Sequence, residues 1–493
     1  MDFIETRGND KKRKIKSSFT QAILNPSASF GGLYVPSSLP MLGDDFIKKH
    51  LNSSYKELAF DILEKFDLDL SKEDILSALD AYNAFDDKKN PAPIVKIKND
   101  LFVQEQYHGP TKAFKDMALA PFGVILSQLA KTKKQKYLIL TATSGDTGPA
   151  ALHAFANQEN IQIVCMYPKG GTSDVQRLQM CTQDAKNVKV LGINGNFDDT
   201  QKALKSLLNS DTFKEELKKQ NIKLTAANSV NFARILFQIV YHFHSYISLL
   251  KNKEISSSEN IYLAVPSGNF GNILGAYYAK KMGLRVEKLL VCSNENNILT
   301  TWIKTGVYDI RGKALKLSKS PAMDILRSSN IERVIFDLFG ANRTKELMQG
   351  LEVKEYFKLN DKELVLLQEY FGAIYSDDAY GLKTIKKYLE DENYLMDTHS
   401  ATCIKAYENL KTKPLKMLMY STAHWSKFSP AVLNALKEDN AKYNDKEALE
   451  YISKNYSKKI PKSISDLFEK EIIHKDIINK EDIEEQILKF ISK

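Results

Sequence analysis

No stretch of this sequence approaches the roughly 18 consecutive apolar residues that a membrane-crossing helix requires, and its charged opening, from Asp2 to Lys16, lacks the apolar run of a secretory signal. Cysteine is scarce. Cys165, Cys181, Cys292 and Cys403 are the four in 493 residues, and no two form a C-x-x-C pair. So few thiols cannot staple a secreted domain and suit a reducing compartment, so a cytoplasmic protein with no membrane partner is expected. Repeats and low-complexity segments are missing too, which excludes solenoid and fibrous architectures. Neither sign of charge dominates: 70 Lys and Arg against 61 Asp and Glu give a net charge of +9, interleaved along the chain. One basic run, Lys11-Lys12-Arg13-Lys14-Ile15-Lys16, has no aromatic interleaving and no DNA-reading motif beside it, so it reads as a mobile surface loop and no nucleic-acid partner is expected. Zinc-type spacing is lacking as well. His242 and His244 stand two apart on a predicted helix and face different directions, so no metal is expected.

What is present is ample apolar material, 43% of residues, in a chain long enough for two or three packed domains. Residues 1–90 mix a β-like piece around Gly31-Gly32-Leu33-Tyr34-Val35-Pro36 with helical patterns near 55–63. From 91 onward, apolar runs of strand length alternate with helical segments, the pattern of parallel sheets covered by helices. Three units are legible: strand 137–141, helix 149–157, strand 161–166; strand 188–193, helix 199–209, strand 222–226; and strand 261–265, helix 272–281, strand 287–292. Residues 310–395 read as a helical, charged addition, 415–420 as a last strand, and 431–493 as a helical extension that serves packing. The fold class expected is α/β, with two open parallel-sheet subdomains in 91–430, and ligands in such sheets sit beyond the carboxyl ends of the strands.

Chemistry concentrates in a few segments. His108-Gly109-Pro110-Thr111-Lys112-Ala113-Phe114-Lys115-Asp116 opens a predicted helix with Thr111 as N-cap, and Pro121 is expected to kink or stop it. An amine desolvated among Phe114, Ala113 and Ala118 can lose its proton near neutral pH and act as nucleophile and base. This segment, with Thr6-Arg7-Gly8 near the start and Lys427-Phe428 late in the chain, resembles the threonine synthases, β-family (fold type II) enzymes that carry pyridoxal phosphate on a lysine. The resemblance implies that Lys115 holds the cofactor as a Schiff base, while Lys112 falls at a position the family leaves free and is expected to point to solvent.

Pyridoxal phosphate presents a phosphate, a phenolic oxygen and a ring nitrogen, each needing a partner. Ser267-Gly268-Asn269-Phe270-Gly271-Asn272 lies between a strand and a helix, where backbone N–H groups and the helix dipole suit a phosphate. Its G-x-x-G spacing is not the G-x-G-x-x-G of a dinucleotide oxidoreductase. Thr143-Ser144-Gly145-Asp146-Thr147-Gly148 forms a nest suited to a carboxylate. By the resemblance, Ser144 and Thr147 hold the substrate carboxylate, Asp146 lies near the phenolic oxygen, and Thr422 of Ser421-Thr422-Ala423-His424 meets the ring nitrogen; His424 lines the site or is a core residue. The substrate implied is O-phospho-L-homoserine, converted with water to L-threonine and phosphate, with a related phospholyase or a threonine/serine dehydratase as the alternative. Its phosphate would be met by Asn196 and Lys202, and by Asn228, Ser229, Asn231 and Arg234 of the Asn-Ser-x-Asn-x-x-Arg pattern, although Arg234 also reads as a plain ion-pairing residue. A monomer or a homodimer is expected.

Overall fold

The computed structural model describes residues 1–12 and 14–492, with the backbone alone at Asp198; Arg13 of the basic run and Lys493 lie outside the described residues. Short runs of Val, Ile and Leu bounded by Gly, Ser and Asn pair into two open sheets. In chain order their strands are β1 (Ile94–Lys98), β2 (Leu101–Glu105), β3 (Lys136–Ala142), β4 (Ile161–Pro168), β5 (Val188–Ile193), β6 (Ile222–Thr225), β7 (Ile261–Pro266), β8 (Val286–Ser293), β9 (Phe371–Tyr375), β10 (Met417–Ser421) and β11 (Ile477–Ile478). One sheet runs β11-β5-β4-β3-β6, all parallel; the other runs β9-β8-β7-β10-β2-β1, parallel except for the antiparallel β1–β2 pair. The expected α/β class with two parallel sheets is what the chain adopts.

The helices that position the site are α1 (Asp116–Thr132), α2 (Thr147–Phe155), α3 (Asp174–Cys181), α4 (Phe197–Asn209), α5 (Phe232–Lys251), α6 (Gly271–Lys281), α7 (Thr398–Asn409) and α8 (Ile483–Ile491). Helix α5 is apolar on almost every face, from Phe232 to Leu249, and such a helix must be buried all round. It packs on α1, on α6 and on the N-terminal helix Tyr55–Lys65, so residues 1–90 are joined to the sheets through one continuous core.

Four local expectations are corrected. Helix α1 starts at Asp116 with Lys115 in the N-cap position, and Thr111 instead donates its N–H and hydroxyl to the Asp116 carboxylate at 2.8 and 2.7 Å. The helix also runs on past Pro121 to Thr132. Pro121 has no N–H for the Met117 carbonyl, and the Tyr82 hydroxyl donates to that oxygen at 2.6 Å in its place. The 310–395 segment is not helical throughout: β9 lies inside it as an edge strand of the six-stranded sheet, and residues 313–327 form an irregular strap over the cavity described below. The tail likewise adds more than helix, since β11 extends the other sheet and Ile483, Ile487 and Ile491 of α8 fill the core on its outer face. No helix among the described residues is long and apolar enough to cross a membrane.

Candidate active site

The carboxyl ends of β3, β7 and β10 converge on one cavity of about 1080 Å3. Its wall includes Lys115, the loop from Thr143 to Thr147, the loop from Ser267 to Gly271, and Thr422. Three segments distant in sequence therefore meet, as the switch-point rule for open sheets requires.

Lys115 is 9% exposed, its ammonium 4.7 Å above the Phe114 ring and 3.8 Å from the Asp146 carboxylate. Burial drives the amine down to about 8, the repulsion of Arg234 and Lys427 adds to this, and Asp146 resists it. The segment before it is fastened to the end of β10: Ala113 pairs with Ala423 in an antiparallel bridge, and the Phe114 N–H donates to the Thr422 carbonyl at 2.8 Å. Gly109 is required here because a Cβ would lie 2.5 Å from the Asp116 side chain that ties Thr111 down.

Asp146 is buried, and burial alone would raise its carboxyl, but Lys427 and Lys115 outweigh that and hold it well below the usual range. The Lys427 ammonium sits 3.0 Å away and is itself fully buried, while Gln176 of α3 donates to the same oxygen at 2.9 Å. In the same loop the Thr143 hydroxyl accepts the N–H groups of Gly145 and Gly148, which leaves Ser144 and Thr147 facing the cavity.

The loop after β7 is held from behind. Gly268 and Asn269 offer their carbonyls to Ser328 and Asn330, and Phe270, left-handed at φ 62°, caps α6 with its ring buried against Trp302 and Phe371. Asn272, expected to hold cofactor, has its side chain taken up by protein: Tyr241 donates to its oxygen at 2.9 Å and its amide donates to Gln106 at 3.1 Å. The His242 Nε2–H donates to the Asn272 carbonyl, and its Nδ1 accepts from Tyr420, so this histidine braces α6.

The residues expected around a substrate phosphate divide. Arg234 is 3% exposed, gives one Nη to the Ala227 carbonyl, and its Nε has no hydrogen-bond partner among the described residues. No carboxylate pairs with it among the described residues, so the ion-pair alternative falls away, and burial brings the guanidinium down to about 10, leaving it charged. Asn228 and Ser229 line the cavity beside it. Asn231 does not; its amide donates to the carbonyls of Ile23 and Ala226 and its oxygen caps α5. Asn196 is the N-cap of α4, its side chain spent on Asp199, and Lys202 is exposed away from the cavity. A helical turn explains the difference, since Phe197, Gln201, Leu204, Lys205 and Leu208 share one face of α4 and Lys202 projects about 100° from Gln201. The face toward the site thus carries Lys205, which has no ion pair among the described residues.

Sequence reasoning passed over several residues here. Lys427 was quoted only as part of a resemblance, and nothing local marks it as buried. His399 faces the cavity from α7; its Nδ1–H donates to Asp397 at 2.7 Å and its Nε2 accepts the Ala322 N–H of the strap at 3.1 Å. Asp324 knits the strap by accepting from Asn294, Asn296 and Ser318. His424, left open as a site or a core residue, does not line the cavity; it sits half-buried behind it, and desolvation pushes its imidazole down to about 3.

Comparison with known proteins agrees with this geometry. Residues 87–416 match the family model described as pyridoxal-phosphate dependent enzyme, and residues 2–82 match threonine synthase N terminus. Human threonine synthase-like 1 is 34% identical over 456 residues, 88% of this chain, which spans 61% of that relative's length. Threonine synthase from Methylobacillus glycogenes is 33% identical over 92% of this chain and 96% of its own. The crystal structure of pyridoxal-phosphate-bound threonine synthase from Brucella melitensis superimposes with a TM-score of 0.88 at 31% identity, covering 100% of both chains. Fold, site and likeness over nearly its whole length agree: the chain belongs to the threonine synthase family of fold type II pyridoxal-phosphate-dependent enzymes.

Proposed function

We propose that the protein is a threonine synthase that converts O-phospho-L-homoserine and water to L-threonine and phosphate, with Lys115 as the residue that carries the cofactor. The observation that carries this reading is a buried lysine at about 8 in the same cavity as a buried arginine that has no ion pair among the described residues. A lysine poised to shed its proton suits coupling to an aldehyde, and an arginine with a free donor suits a phosphate. The residues fit the cofactor in a further respect: the N-terminus of α6 opens into the cavity with the N–H groups of the 268–271 loop around it.

Bound there, pyridoxal phosphate would supply an aldehyde for amine coupling and a ring that accepts electrons from the substrate's α-carbon. The chain does the rest. Gly268, Asn269, Phe270, Gly271 and the Asn272 backbone would hold the cofactor phosphate, and the Thr422 hydroxyl would be a neutral partner for the ring nitrogen. Asp146, its charge balanced by Lys427, would be the neighbour of the phenolic oxygen. Ser144 and Thr147 orient the substrate carboxylate. Lys115, once free, takes the proton from the α-carbon, and a second proton leaves the β-carbon as the γ-carbon–oxygen bond breaks and phosphate departs. A proton returned to the γ-carbon completes the methyl group, water then adds its hydroxyl at the β-carbon, and a second proton returned to the α-carbon completes L-threonine. Arg234, Asn228 and Lys205, in place of Lys202, bind the phosphate that leaves.

The reading is tested by incubating purified protein with O-phosphohomoserine and identifying products. Equal release of threonine and phosphate supports it; 2-oxobutyrate would point to a dehydratase or phospholyase, and no phosphate release would reject it.

A further inference from the structure

An ion pair outside the cavity takes no part in the chemistry above. Lys112 does not point to solvent: its side chain is 4% exposed, and its ammonium meets both carboxylate oxygens of Asp86 at 2.6 Å. Its backbone is left-handed, φ 59°, a conformation in which a Cβ crowds the following carbonyl. Its N–H donates to the Gly109 carbonyl and its own carbonyl accepts the His424 N–H, both at 3.1 Å. The next two residues carry the bridge to Ala423 and the bond to Thr422, and Lys115 follows. Asp86 is anchored in turn, since its N–H donates to the His108 carbonyl at 2.9 Å. The groups that face this pair are His108, between Asp86 at 3.1 Å and Glu105 at 2.9 Å, then Tyr394 on Glu105, Tyr107 and the half-buried His424.

We propose that Lys112 and Asp86 are positioning residues whose ion pair holds residue 112 in its left-handed turn and so presents the Lys115 amine at a fixed point beside Thr422. This rests on Lys115 being the cofactor's anchor. The physical reason is local: a side chain at 112 gains by rotating out of the left-handed region, and any such rotation swings the chain three residues later. The Asp86 carboxylate, gripping the ammonium from a separate segment of chain, opposes it.

The clamp is distinguishable from a packing role because glycine enters the left-handed region without cost. Cofactor-free wild type, Lys112→Ala, Lys112→Gly and Asp86→Asn are titrated with pyridoxal phosphate and followed by absorbance, and thermal unfolding of the same preparations checks that each is folded. The labelled lysine is then identified by mass spectrometry after borohydride reduction. Lys112→Ala is expected to bind the cofactor about fivefold to thirtyfold more weakly, the range that left-handed strain commands, with Lys112→Gly recovering most of it. Asp86→Asn, which leaves residue 112 intact and is the mildest change, is expected to weaken binding in the same direction. Unchanged affinity in Lys112→Ala and Asp86→Asn, or a glycine variant as weak as the alanine one, would overturn the clamp while leaving the Lys115 reading in place. A label on another lysine in the wild type would overturn the anchor reading and the clamp with it.

Discussion

At pH 7 an ordinary lysine is deprotonated in fewer than about one molecule in a thousand. Lys115, brought down to about 8 by burial and by the nearness of Arg234 and Lys427, has its free amine in roughly a tenth. Reconstitution of cofactor-free protein with pyridoxal phosphate should accelerate as pH rises from 7 and level off above about 8.5. A rate still climbing past pH 10 would show an unshifted lysine. Lys115→Ala should lose both the cofactor's visible-edge absorbance and turnover. At the other end of the cavity, Arg234→Ala should raise KM for O-phosphohomoserine about tenfold or more, the worth of a charged hydrogen bond. Lys205→Ala should raise it as well, and Lys202→Ala should leave it unchanged. The reverse order for the two lysines would mean that α4 presents a different face to the substrate. Lys115, Thr143–Thr147 and the 267–271 loop were visible in sequence because their motifs are contiguous. Lys205 and Lys427 were not, because helix phase and burial are set by what the element packs against.

Among the elements, α1 shows how one distant side chain decides whether a helix continues. Removing the Tyr82 hydroxyl with Tyr82→Phe leaves the Met117 carbonyl without its donor, at a cost of about 1–3 kcal/mol. The expected result is a lower Tm with cofactor binding largely kept; an unchanged Tm would mean another group serves that oxygen. The loop before α1 titrates. Burial opposes charge on His108, but its hydrogen bonds to the carboxylates of Asp86 and Glu105 and their negative charge raise it to about 9, above its unfolded value. A raised pKa contributes stability that is complete below about 6.5 and lost as pH climbs through about 9. The fall in Tm between pH 6.5 and 9.5 should therefore shrink in His108→Gln, and an equal fall in both proteins would remove His108 from the account.

For the molecule as a whole, the C-terminal tail is structural rather than appended. β11 adds to the edge of one sheet, the Asp476 carbonyl accepts the Gly192 N–H, and the Asn194 N–H donates to Ile478 just before α4 begins. Ile487 is fully buried in α8, and Ile487→Ala should cost about 2–5 kcal/mol in chemical denaturation. A loss below about 0.5 kcal/mol would mean that the tail can detach. The amino-acid order by itself determined the alternation of apolar strands with helices, the glycine and hydroxyl loops at strand ends, and the reactive lysine's motif, because each is encoded within a few neighbouring residues. Only the tertiary structure decided that Lys112 is buried against Asp86, that Lys205 and not Lys202 faces the cavity, that Lys427 balances Asp146, and that Tyr82 carries α1 past its proline. Each of these depends on which distant segment supplies the partner, and burial, charge compensation and helix phase have no value until the two sheets and the core around α5 close on one another.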